Sequence, residues 1–77
     1  MNFDEELDVR GLVCPLPILR TKKQLADMKS GKILKIVATD PGTVIDFQVF
    51  SEQTGHQLLN AGAGEMVGEF LFFLRKR

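Results

Sequence analysis

Leu12-Val13-Cys14-Pro15-Leu16-Pro17 is the point at which a strand-like segment passes into one with helical spacing. Just before it, Glu6-Leu7-Asp8-Val9-Arg10 alternates polar and apolar residues, which places Leu7 and Val9 on one face of a half-buried strand, and Gly11 breaks the run. Just after it, from Pro15 to about Lys29, Ile18, Leu25 and Met28 fall at helical spacing, with Leu19 and Ala26 widening the stripe. Ser30-Gly31 ends that helix. Pro15 suits the first helical position, where a missing N–H costs nothing and a fixed φ fits the helix. Cys14 then becomes the N-cap. A thiol there would face free backbone N–H groups and the positive end of the helix dipole, both of which favour the thiolate. The expected result is a modest lowering of its pKa that leaves the thiol poised near neutrality, with Arg20 and Lys22 able to add to it. Cysteine is also among the most buried residue types and proline opens many helices, so a structural role competes with a nucleophilic one. Spacing alone leaves both readings open.

Further along, Lys32 to Thr39 is dense in β-branched residues and reads as a central strand, stopped by Asp40-Pro41-Gly42-Thr43. A second helix is predicted from Val44 to about Gln53, with Ile45/Val49 and Phe47/Phe50 at helical spacing, Asp40 or Thr43 as its N-cap and Thr54-Gly55 as its close. Two strands follow, His56–Asn60 and Gly68–Arg75, joined by the glycine-rich Ala61-Gly62-Ala63-Gly64-Glu65. The order is β-α-β-α-β-β. Its β-α-β crossovers imply a parallel pair of strands joined right-handedly, and an α/β (α+β) two-layer sandwich: a four-stranded mixed sheet with two helices on one face.

That architecture makes a statement about function. Cys14 follows the first strand and Asp40 the second, so both belong at the carboxyl end of the parallel pair, where open α/β sheets bind ligands. Asp40 is therefore a secondary site residue, although a carboxylate near the sulfur would raise the cysteine pKa. The last strand, Phe70-Leu71-Phe72-Phe73-Leu74, is apolar on both faces. If Phe70, Phe72 and Leu74 face the helices, then Leu71 and Phe73 face outward with Ile33 and Val37, an apolar patch suited to weak self-association or to a partner.

The 77 residues, 44% hydrophobic and 26% charged, suit one domain spanning 1–77, near the lower size limit for an unassisted core. Ten basic residues balance ten acidic ones, so no global field draws the chain to nucleic acid or membrane. The single cysteine permits no internal disulfide, and there is no Cys-x-x-Cys pair for dithiol redox chemistry or a cysteine zinc site. Met1-Asn2-Phe3-Asp4-Glu5-Glu6 is acidic and has no apolar signal-like core, and no apolar run reaches membrane-spanning length. A reduced, cytoplasmic setting is expected.

Taken together, Leu7-Asp8-Val9-Arg10-Gly11-Leu12-Val13-Cys14-Pro15-Leu16-Pro17-Ile18-Leu19, the lysines that follow, Asp40-Pro41 before the second helix and a basic final strand resemble the TusA/SirA family of small sulfur carriers over nearly the whole chain. The Cys-Pro-x-Pro element at the start of the first helix carries the resemblance. It implies the same two-layer fold, and a sulfurtransferase activity that turns over only with partner proteins. Cys14 matches the persulfide carrier, Pro15 and Pro17 the prolines that shape the helix start, and Arg20 and Asp40 residues of the site rim or partner contact. The implied donor is a cysteine desulfurase or rhodanese-type protein, the implied recipient a downstream acceptor protein, and no metal or organic cofactor is called for. Leu16 stands where relatives that feed tRNA thiolation commonly carry glutamate, a departure that weighs against that pathway but leaves sulfur transfer intact; the residues do not separate thiolated tRNA, cofactor synthesis and sulfur oxidation as destinations.

Two other classes compete. Cys14 could serve a regulatory or redox module through mixed disulfides. The same element order also occurs in the C-terminal domain of a translation initiation factor, which suggests RNA binding by fold analogy. Against the latter, positive charge is concentrated only at Arg75-Lys76-Arg77 and around Lys22, too little for strong nucleic-acid binding. His56, the sole histidine, reads as a surface residue rather than a general base.

Overall fold

In the computed structural model, which describes residues 1–77, the elements follow in the order β1 (Glu5–Val9), α1 (Leu16–Ala26), β2 (Ile33–Ala38), α2 (Thr43–Thr54), β3 (Gln57–Ala63) and β4 (Phe70–Arg75). The strands form one mixed sheet in the order β1-β2-β4-β3. β1 runs parallel to β2, with Leu7 opposite Ile36 and Val9 opposite Ala38, while β4 lies antiparallel to both β2 and β3. Because side chains alternate along a strand, Val9, Leu34, Ile36, Ala38, Phe72 and Leu74 all reach the helical side and form one core with Leu25, Met28, Phe47 and Phe50. Phe47 of α2 stacks against Phe72 of β4 with ring centroids 4.5 Å apart, which anchors the helix to the sheet, and it meets Phe50 of its own helix edge-on at 6.4 Å. Burying one such ring contributes about 1.5–3 kcal/mol.

The inward stripe of α1 differs from the expected one. Pro17, Thr21 and Leu25 are buried, with Met28 just beyond the helix, while Leu19 and Ala26 point to solvent. Leu19 stands two positions after Pro17, which on a helix is the opposite face, and its apolar character does not override that geometry. In α2 the inward residues are Thr43, Phe47 and Phe50, while Ile45 and Val49 remain exposed. The N-cap of α2 is Gly42, neither Asp40 nor Thr43; Asp40 Oδ1 instead accepts from the Gly42 N–H at 3.2 Å, and the Asp40 carbonyl accepts from the Thr43 hydroxyl at 2.6 Å. The α2 exit is as expected. Gly55 adopts φ 82°, a left-handed conformation that favours glycine, and its N–H closes on the Ser51 carbonyl.

At the hairpin, Ala61 to Ala63 belong to β3 rather than to a connection, which shrinks to Gly64–Glu69. The small residues pair with β4, Ala61 opposite Phe72 and Gly62 opposite Leu71, because backbone pairing needs no side-chain bulk. An irregularity between Leu58 and Asn60 shifts the register by one residue.

The outer face of the sheet also corrects an expectation. Phe73 points outward as its register requires, yet it is only 5% exposed. Phe3, from the segment preceding β1, lies over it with ring centroids 6.3 Å apart, and the Lys35 ammonium lies 5.1 Å from the Phe3 ring centre. Ile33, Val37 and Leu71 are half-buried. The open apolar patch is therefore much reduced, because the chain covers it with its own N-terminal segment.

Candidate functional site

Two strand ends build the site. β1 turns at Gly11, whose φ of 80° is a conformation other residues rarely adopt, and its N–H donates to Thr39 Oγ1 at 2.8 Å. Three residues later the Cys14 N–H donates to Asp40 Oδ2 at 2.9 Å. Thr39 and Asp40 directly follow β2, so the loop that carries the thiol is tied to the end of the neighbouring parallel strand at two points. The shared rim expected for Cys14 and Asp40 is thus a direct contact.

The helix start lies one residue later than its proline spacing predicts. Pro15 is the N-cap of α1, with φ −97° and ψ 10°, and Leu16 is the first helical residue. The Leu16 N–H bonds the Val13 carbonyl at 2.9 Å, making a turn that precedes the helix. A residue before proline avoids the helical region, so Pro15 keeps Cys14 outside the helix rather than capping it. Pro17 has a second role: it is buried at the first turn of α1. The two motif prolines therefore divide the work, Pro15 setting where Cys14 leaves the helix axis and Pro17 anchoring the first turn.

The sulfur lies at the mouth of a groove between the two helices. Cys14, Pro15 and Ile18 line one side, and Asp46, Val49, Phe50 and Gln53 the other. The α2 positions are spaced i, i+3, i+4, i+7, one face of a helix. Cys14 itself is exposed and unpaired. Its thiol pKa is raised, opposite to the expected lowering: partial loss of solvent around the sulfur comes first, then the negative charge of Asp46 and, last, the charge of Asp40. The helix dipole does not lower the thiol pKa because Cys14 stands one residue before the cap and lies near the charges of Asp46 and Asp40. Asp46 was missed. Its signal in the sequence is its helical spacing to Phe50 and Gln53, the residues that share its groove.

Arg20 lies elsewhere. It is exposed on a shallow surface shared with Leu7, Lys23, Gln24 and Asp27, apart from the Cys14 groove. Leu16, at the variable motif position, is 41% exposed close to the rim, and Val13 is 65% exposed beside Cys14. His56 is half-buried rather than superficial, against Phe50 and next to Arg77, at the end of the sheet where Gln57 pairs with Arg75. Val9, Ala38 and Phe70 mark the opposite end, from which the Cys14 loop leaves. The histidine is not among the residues that line the Cys14 groove. No three His, Cys, Asp or Glu side chains converge to hold a metal ion.

A family model described as Sulfurtransferase TusA matches residues 5–76. The chain belongs to that family. It is 52% identical over 75 residues to a sulfur carrier protein TusA of Allochromatium vinosum, covering 97% of this chain and 96% of the relative. It is 39% identical over 77 residues to a sulfur carrier protein TusA of Pseudomonas syringae, covering all of this chain and 89% of that one. The crystal structure of a SirA-like protein from Desulfitobacterium hafniense shares the fold, with a TM-score of 0.81 over 94% of this chain and 96% of that chain, at 23% identity. The expected family and the expected four-stranded, two-helix fold both hold. No helix is long and apolar enough to cross a membrane.

Proposed function

We propose that this TusA-family protein is a sulfur carrier whose Cys14 accepts sulfane sulfur as a persulfide and hands it to an acceptor protein. The observation that carries the reading is the exposed, unpaired Cys14 thiol, on a loop fixed to Asp40, in a chain whose family is defined by sulfur transfer. In the reaction the Cys14 sulfur attacks the terminal sulfur of a donor persulfide. A bond forms between Cys14 Sγ and that sulfur, the donor's S–S bond breaks, and the donor cysteine leaves as a thiolate that takes up the proton lost from Cys14. An acceptor thiol then repeats the exchange on the outer sulfur. The chain supplies no oxidant and needs none, because the sulfane sulfur keeps its oxidation state throughout.

The donor is of the cysteine desulfurase or rhodanese type, the setting is the cytoplasm, and the whole chain acts as one domain. Exposed Val13 and Leu16 frame the thiol and offer an apolar landing for either partner. Incubation with a cysteine desulfurase and cysteine, followed by intact-mass measurement, tests the reading. The protein should gain one sulfur atom that reductant removes, and Cys14→Ser should gain none; a protein that gains no sulfur from either donor type is not a carrier.

A further inference from the structure

Asp46 is a carboxylate in an unusual position. It stands in the first turn of α2 and forms none of the ion pairs in the protein, which involve Asp8, Glu69 and Asp4. The groove it shares with Cys14 contains no other charged side chain. Its Oδ2 lies 3.9 Å from the point where a side chain on Gly42 would begin, and both Asp40 oxygens lie within 3.8 Å of that same point. Asp40 in turn holds the Cys14 N–H. The two carboxylates thus flank the cysteine, Asp40 bound to its backbone N–H and Asp46 across the groove they share.

We propose that Asp46 is a positioning residue for Cys14: its carboxylate, the one charged group lining the groove that the thiol shares, disfavours loss of the thiol proton while the protein is unpartnered. This deepens the sulfur-carrier reading and rests on it for its purpose, which is to hold an exposed thiol quiet toward oxidants and small electrophiles until a protein partner docks. The charged groups near the sulfur are Asp40, from the loop after β2, and Asp46, from α2; α1 and its cap contribute none, since their groove residues are Ile18 and Pro15. Both charges oppose ionisation. The upward displacement of the thiol pKa is in keeping with that arrangement, and Asp46 is the larger of the two charge effects.

The test uses iodoacetamide, a neutral reagent that reports the thiolate, across a pH series on the isolated full chain. Asp46→Asn should move the pH profile to lower pH and speed alkylation at pH 7 by at least about twofold, while Asp46→Glu, which keeps the charge, should stay near the parent rate. A smaller increase for Asp46→Asn, or an equal one for Asp46→Glu, overturns the proposal. A second measurement avoids substitution: high salt screens the repulsion, so alkylation of the parent protein should accelerate with ionic strength, and a flat response counts against Asp46. No sulfur donor is present in either experiment. Failure of persulfide formation would therefore sink the carrier function and leave the alkylation result standing, whereas an unshifted profile with normal persulfide formation would sink only the role of Asp46.

Discussion

The backbone N–H of Cys14 and the carboxylate of Asp40, 26 residues apart in the chain, meet at 2.9 Å. The contact joins the loops at the ends of the two parallel strands, so the thiol loop is tied to the end of β2 as well as to the start of α1. Asp40 also accepts from the Gly42 N–H, which makes one side chain the support of both the thiol loop and the start of α2. Asp40→Ala removes both acceptors and should destabilise the protein by about 1 kcal/mol, since water partly replaces exposed hydrogen bonds. Asp40→Asn retains one acceptor oxygen and should cost less. The local readout is amide hydrogen exchange at Cys14, which should accelerate in Asp40→Ala; an unchanged rate would mean the loop is held by other contacts.

Thr21 offers a contrasting case, a polar atom with nothing to do. It lies fully buried on α1, and its hydroxyl has no hydrogen-bond partner. Leaving a hydroxyl unpaired in an apolar interior costs about 1–3 kcal/mol, and valine has nearly the same shape. Thr21→Val should therefore stabilise the protein, by up to about 1 kcal/mol after allowance for repacking. A urea unfolding midpoint that falls instead of rising would show that the hydroxyl is satisfied in solution.

Why the first of these features was legible in the sequence and the second was not follows from what each depends on. Leu7, Val9 and the β-branched run before Asp40 declare their strands by alternation, and two strands followed by crossover helices can be joined in one way only, which is enough to bring Cys14 and Asp40 to one rim. Thr21 and Pro17 are not apolar markers on a hydropathy pattern, so their burial shows only when the helix is placed on the sheet. The sign of the Cys14 pKa shift was missed for a similar reason. A one-residue change in the helix start removes the thiol from the cap, and the neighbour that matters, Asp46, is brought in by the packing of α2 on α1. Residues joined by strand register could be located from spacing; residues joined by helix packing could not.

His56 should make stability depend on pH in the mildly acidic range. Loss of solvent, followed by the positive charges of Lys76 and Arg77, lowers its pKa below the ordinary value, and its ring lies 5.8 Å from that of Phe50. Its Nδ1 accepts from the Arg77 N–H at 3.0 Å, which requires an unprotonated nitrogen. As pH falls below about 6.5 the unfolded chain takes up the proton first, so the folded state loses stability until its own lower pKa is passed. Above that range the imidazole is neutral in both states and has no effect. His56→Asn keeps an acceptor without the titration, and its melting temperature should fall less than that of the parent between pH 7 and 5; parallel curves would show that His56 titrates alike in both states.

Phe3 makes the last prediction, because it covers the face that the sequence leaves apolar. Its ring lies on Phe73 and under the Lys35 ammonium, and a tilted aromatic pair with a cation above it contributes about 0.5–2 kcal/mol. Phe3→Ala should lower stability by about that amount and uncover Phe73 beside the half-buried Ile33, Val37 and Leu71. A larger apolar surface then faces water, so the variant should associate as its concentration rises while the parent does not. Phe73→Ser acts differently: it removes a ring that is 5% exposed and should cost about 3 kcal/mol or more without promoting association. Sedimentation equilibrium on the two variants separates these outcomes. If Phe3→Ala sediments as a monomer at every concentration and melts with the parent, the N-terminal segment does not shield the sheet.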